Sequence, residues 1–172
     1  TLDRAAARTR ELGVSHVVVA YNSGATANAL ADRLPDDVSL VCVTHQVGFR
    51  SPGEDEMPAE ARAGLKERGV AVLTTTHLTG GIDRACRFKS QGLYPGEIVA
   101  HTLRVLGQGM KVAVEITVMA ADAGLVPVDR EVVAVGGSGR GADTAAVVLP
   151  AHGHDFFAAQ VREVLAMPRG RP

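Results

Sequence analysis

Apolar residues fall into two kinds of pattern along this chain. Short unbroken runs rich in Val, Ala and Leu occur at His16–Ala20, Ser39–His45, Val70–His77, Glu131–Gly137 and Thr144–Pro150, with a weaker one at Gln160–Pro168. Runs of this length, bounded by turn residues, fit strands buried on both faces. Between them, apolar positions recur at helical spacing. Leu2–Leu12 carries Ala5, Ala6 and Leu12, with Gly13 as its stop signal. Ala27, Leu30, Ala31 and Leu34 follow the first run, and Pro35 ends that helix. Pro58 suits the first turn of a helix with Ala61 and Leu65 facing inward and Gly69 as its cap. Ile98–Leu106 reads as a further helix, interrupted at Gly107 and Gly109.

Lys111–Ala123 supports two readings. Val112, Val114, Ile116 and Val118 alternate as in a strand, whereas Val112, Ile116, Met119 and Ala123 share one helical face. The stretch MAADAG, with Gly124 as a cap, favours the helix. Gln46–Pro58 is expected to be a long polar loop, and Leu78–Glu97 a loop with one or two helical turns around Ile82–Phe88. The tail from Arg169 reads as frayed. Helices alternating with apolar strands imply a single α/β domain over residues 1–172 with a mostly parallel sheet.

Composition narrows the function classes. The net charge is -1 and the sequence has no basic stripe, which argues against a nucleic-acid partner. No apolar run approaches the ~20 residues of a membrane span, and no signal peptide is visible in a sequence that opens at Thr1. Cys42 and Cys86 in an ordinary globular composition suit a reducing cytoplasm better than a disulfide, which leaves a Cys42–Cys86 bridge as the less favoured alternative. Self-association is common among such domains, so a homo-oligomer is expected without a stated symmetry.

In open α/β sheets ligands bind beyond the carboxyl ends of the strands. Four strand exits here are rich in glycine, hydroxyl residues or histidine. Asn22-Ser23-Gly24-Ala25-Thr26 leads into a helix, where free N–H groups and a close backbone favour a phosphate; capping by Ser23 alone is the competing reading. The exit around Gly137, Ser138, Gly139, Arg140 and Thr144 packs four glycines into six residues (136–141) and suits an anion nest, with a plain flexible turn as the alternative. His45 and His77 each follow a threonine and are candidates for a proton-transfer pair, with Asp143 as an orienting carboxylate; structural histidines are the competing reading. Gly48, Phe49 and Thr76 would wall a flat ring, Phe49 covering it unless it serves as a plug under its own loop. His152 and His154 at i, i+2 are weak evidence for a metal, so no metal site is expected. The acidic stretch Gly53–Pro58 reads mainly as solvated loop, and Arg84, Arg87 and Lys89 as a small basic cluster that is either solvated or meets a phosphate or a neighbouring subunit.

The strings VVVAYNSGATA, VTHQVGFRSPGEDEMP, TLRVLGQGMKVAVEITVMAADAG and VVAVGGSGRGADTA resemble a mainly archaeal and bacterial family of stand-alone proteins related to the C-terminal α/β domain of pyruvate kinase. The resemblance runs from about Arg10 to Arg169 and implies a three-layer α/β/α sandwich. In pyruvate kinase the equivalent domain binds the phosphates of an allosteric effector on a Ser/Thr-rich strand-exit loop. Ser23, Gly24 and Thr26 occupy the matching place. The resemblance also suggests a flavin mononucleotide (FMN) site at this rim. Nothing in 172 residues provides the (β/α)8 barrel, so pyruvate kinase activity is not expected. Two functions follow as expectations: a binding domain for a phosphorylated small molecule, FMN first, or an enzyme acting on a phosphorylated metabolite with His45 and His77 as acid and base.

Overall fold

The computed structural model of the protein describes residues 1–20, 25–139 and 141–170. Its frame is a six-stranded sheet in the order β3-β2-β1-β4-β5-β6. The strands are β1 (His16–Ala20), β2 (Ser39–Thr44), β3 (Ala71–Thr74), β4 (Val132–Gly136), β5 (Thr144–Leu149) and β6 (Gln160–Ala166). Val18 pairs in parallel with Val41 on one side and Ala134 on the other, and Val43 with Leu73. β5 alone runs the other way: Gly136 faces Thr144 across its antiparallel pairing with β4, and β6 is antiparallel to β5. The sheet is therefore mostly parallel, and the exits of β1 to β4 lie along one rim.

Both faces are covered. α1 (Leu2–Leu12), α2 (Ala25–Ala31) and α3 (Ala59–Glu67) put Ala5, Ala27, Leu30 and Leu65 against Val17, Val19, Cys42, Val133 and Val135. α6 (Gln108–Asp122) covers the opposite face, packing Met110, Ala113, Val114 and Ile116 against Val18, Val41, Ala134 and Ala146. Alternate residues of each strand thus enter different cores, which is why the strands read as continuous apolar runs. The arrangement is an α/β/α sandwich. Cys42 is fully buried in the first core and Cys86 partly exposed, both as free thiols. No helix among the described residues is long and apolar enough to cross a membrane.

The structure departs from the sequence pattern in three places. Where one or two turns are expected around Ile82–Phe88 there is a full helix, α4 (Gly81–Ser90), and the helix expected at Ile98–Leu106 starts earlier, as α5 (Pro95–Leu103), and continues as a 3-10 turn at Arg104–Leu106. α4 buries no residue, and its Ile82 and Phe88 are exposed. β3 stops at Thr74, leaving Thr75, Thr76 and His77 in the exit loop. α6 begins three residues earlier than expected, at Gln108, with Gly109 inside its first turn. Gly109 is not an interruption but a contact. A Cβ there would lie 2.1 Å from Thr144 Oγ1, and a Cβ on Gly136 would lie 2.3 Å from the Gly109 carbonyl oxygen. The helix lies backbone-close on the β4–β5 hairpin, and only glycine permits that distance.

This contact sets the sign of a substitution. Gly136→Ala keeps a strand-compatible residue but must push α6 off the sheet. It should destabilise the protein by about 2–3 kcal/mol in denaturant unfolding, the usual cost of overpacking a tight contact; a neutral result would show that α6 moves freely.

Candidate functional site

The strand order places β1 between β2, which the chain reaches through α2, and β4, which it reaches only after crossing from β3 through α4, α5 and α6. Connections therefore leave the sheet in opposite directions at β1 and β4. Such a switch point opens a crevice at the carboxyl rim. A cleft of about 930 Å³ lies there, within the size range of small-molecule sites.

The cleft brings together most of the residues expected from sequence. Ala20 and Thr26 line it from the first exit, Thr44, His45 and Phe49 from the second, His77 from the third, and Gly137, Ser138, Gly139 and Gly141 from the fourth. Gln108, Lys111 and Glu115 of α6 form its far wall. Ala25 starts α2 next to Thr26. Asn22, Ser23, Gly24 and Arg140 lie outside the described residues. Three expected contacts are corrected. Thr144 is 0% exposed and belongs to the α6 contact. Gly48 turns the loop at φ 79 and donates its N–H to the Glu54 carbonyl at 2.8 Å. Thr76 is exposed and is not among the cleft-lining residues.

The histidines are built from the second exit loop. His45 Nδ1 lies 2.5 Å from Glu56 Oε2, and Arg50 holds the other Glu56 oxygen at 2.9 Å. The His45 ring stacks on Phe49 with centroids 4.0 Å apart, and the Arg84 guanidinium sits 5.3 Å over the Phe49 ring. Phe49 is thus a stacking partner for two protein groups and also lines the cleft. His77 stands edge-on to His45, with centroids 5.2 Å apart. Asp143 does not serve them: its oxygens accept from the Ser138 N–H at 2.9 Å and the Thr144 hydroxyl at 2.7 Å, so it shapes the β4–β5 turn. The carboxylate beside His45 is Glu56, which lies inside the acidic stretch that reads from sequence as mainly solvated. Its neighbours are also ion-paired: Asp55 with Arg62 at 2.6 Å, and Glu54 with Arg50 at 4.0 Å.

Beneath the histidines lies a buried polar network. Glu115, 4% exposed, accepts from the Thr79 N–H at 2.9 Å and the Thr79 hydroxyl at 2.5 Å, and pairs with Lys111 one turn earlier on α6. Burial pushes the Glu115 carboxyl up, but Lys111 and the Thr79 hydrogen bonds outweigh it and hold it below the usual value. Burial drives the His77 imidazole down to about 4, helped by His45, Lys111 and Arg84 and opposed by Glu115. His77 is therefore a neutral ring at neutral pH. The wall is closed by Thr44 and Thr74 hydroxyls 2.6 Å apart, with Arg62 donating to Thr74 at 2.9 Å.

The remaining sequence candidates lie elsewhere. His152 pairs with Asp122 at 3.2 Å and lies parallel to His154. No group of three or more His, Cys, Asp or Glu among the described residues is placed to hold a metal. Arg87 pairs with Glu97 at 2.8 Å on α5.

A comparison with known families matches residues 1–148 to the pyruvate kinase alpha/beta domain. The chain belongs to that family. The match takes in every strand exit of the cleft and stops inside β5, short of β6.

The depressed His77 value predicts a pH dependence of stability. Between its ordinary 6.5 and about 4, the unfolded chain binds a proton that the folded chain does not. The stabilisation is fully present above pH 6.5 and is lost as pH falls toward 4. Melting temperature should drop across that window in wild type, and His77→Gln should flatten the drop. Loss confined to below pH 4.5 would instead assign it to Glu115.

Proposed function

We propose that this domain binds a phosphorylated small molecule at the strand-exit rim, with FMN as its ligand. The observation that carries the reading is the cleft at the β1/β4 switch point, walled from four strand exits at once. Thr26 and the Gly137–Gly139 strip come from neighbouring strands and offer a hydroxyl and close backbone for the phosphate. Arg104 adds positive charge to the same cleft. His45 and Phe49, already stacked, give the ring system an aromatic edge to pack against.

Titration of purified protein with FMN should quench flavin fluorescence with a saturable curve. Gly139 lines the cleft, and a side chain there would meet nothing within 4 Å. Gly139→Asp should therefore leave the melting temperature unchanged while its carboxylate repels the phosphate and weakens FMN at least ten-fold. Absence of quenching by wild type removes FMN as the ligand; equal binding by both proteins removes the glycine strip from the phosphate site.

A further inference from the structure

The large apolar side chains left in water are not spread evenly over the chain. Ile82, Phe88, Leu93, Ile98, Val105 and Leu106 are all exposed, and all belong to α4, α5, the link between them and the 3-10 turn that follows. Ile82, Phe88 and Val105 are 76%, 78% and 84% exposed. α4, a helix of 10 residues, buries none of them. Its ties to α5 are polar: Asp83 accepts the Gly96 N–H at 2.6 Å, and Arg87 pairs with Glu97 at 2.8 Å. A helix this short is marginal alone and is normally held by burying an apolar face. α4 turns its apolar residues outward instead.

Those residues form a ridge. At 3.6 residues per turn, Ala85 lies opposite the side of α4 that carries Asp83 and Arg87, with Ile82 and Phe88 one i, i+3 step to either side. All three are exposed. The ridge is nearly symmetric about Ala85, a small residue between two large apolar ones. Two such ridges laid antiparallel put Phe88 of one copy against Ile82 of the other and bring the two Ala85 residues together. Self-complementarity of this kind is what a two-fold contact requires.

The area also suits a second copy. The six exposed side chains, at roughly 100 Å² each, offer about 600 Å² of apolar surface. A standard interface takes about 800 Å² from each partner, about two-thirds of it apolar between like chains. A second sign lies on α5. Arg87 holds one oxygen of Glu97, and the other, Oε2, is the one buried side-chain oxygen or nitrogen among the described residues that has no hydrogen-bond partner. Native proteins satisfy nearly all such groups, and the one left over sits on the same two-helix segment as the exposed side chains.

We infer that α4 and α5 are the contact surface for a second copy of this chain, with α4 crossing its own copy antiparallel about a two-fold axis at Ala85. The inference is independent of what the cleft holds. The contact helix also carries Arg84 to the cleft, where its guanidinium lies over the Phe49 ring, so the subunit contact adjoins one wall of the site.

Sedimentation equilibrium of the whole chain from about 1 to 100 µM, the range in which interfaces of this size hold or tighter, should give twice the chain mass. Phe88→Glu and Ile82→Glu each place two carboxylates in the apolar contact and should weaken association about 100-fold or more. Both positions are exposed in the single chain, so circular dichroism should show the fold unchanged. Phe157→Glu, at a position 88% exposed outside this segment, should leave the dimer intact. Helix axes 8–10 Å apart bring facing Cα atoms to about 5 Å, within disulfide reach. Ala85→Cys combined with Cys86→Ser should therefore cross-link two chains under mild oxidation. A monomer at every concentration overturns the inference. So does a dimer that neither Glu variant on α4 weakens, or one that Phe157→Glu weakens as much. A dimer that the α4 variants dissociate but Ala85→Cys does not cross-link overturns the two-fold crossing.

Discussion

The near-contact of two backbones, α6 against the β4–β5 hairpin, governs most of what this domain can do. Gly109 and Gly136 remove the side chains that would hold helix and sheet apart. Their closeness fixes the height of α6 over the sheet and the position of its first turns at the rim. α6 is buried nearly all round, including Lys111 and Glu115. A helix so placed has no solvent face to absorb a shift, so its polar residues have one available position. That position is the far wall of the cleft.

The Lys111–Glu115 pair is poorly explained by stability alone. Burying two charges costs desolvation that their attraction recovers only with good geometry and further hydrogen bonds, and apolar replacements are often as stable. Here Thr79 provides those bonds, and the network sits beneath His77 at a cleft rather than in the sealed core. Its electrostatic effect is specific. Glu115 favours protonation of His77, Lys111 and His45 oppose it, and burial decides in favour of the neutral ring. The same network therefore adds polar groups to the site without making His77 a cation.

Much of this architecture was legible from the one-dimensional pattern, and the failures have physical causes. The strands were readable because each alternates between two apolar cores and so appears as an unbroken run. α1 was readable because Gly13 ends it in the left-handed conformation that a helix stop uses. α4 was legible only in part: turns were placed at Ile82–Phe88, inside Gly81–Ser90, but with no residue buried its extent was not marked. Gly109 misled because glycine marks both breaks and close contacts, and only the partner backbone distinguishes them. The rim itself was legible: parallel strands force their exits together, so Thr26, His45, His77 and Gly139 could be grouped without coordinates. Glu56 was not. Eleven residues separate it from His45, and the loop between them has no period from which a spacing can be inferred.

The loop after β2 is held by its own pairings. Gly48 turns it back on itself, Glu54 receives the Gly48 N–H, and Arg50 and Arg62 tie down the acids on either side. An acidic run in a mobile loop would repel itself and attract cations. With each carboxylate paired, the run becomes a brace that delivers one oxygen to His45. The ring on the other end of that contact is also stacked on Phe49, a residue of the same loop. The orientation of that ring is therefore set from two sides by one loop, by the Glu56 carboxylate and by the Phe49 ring.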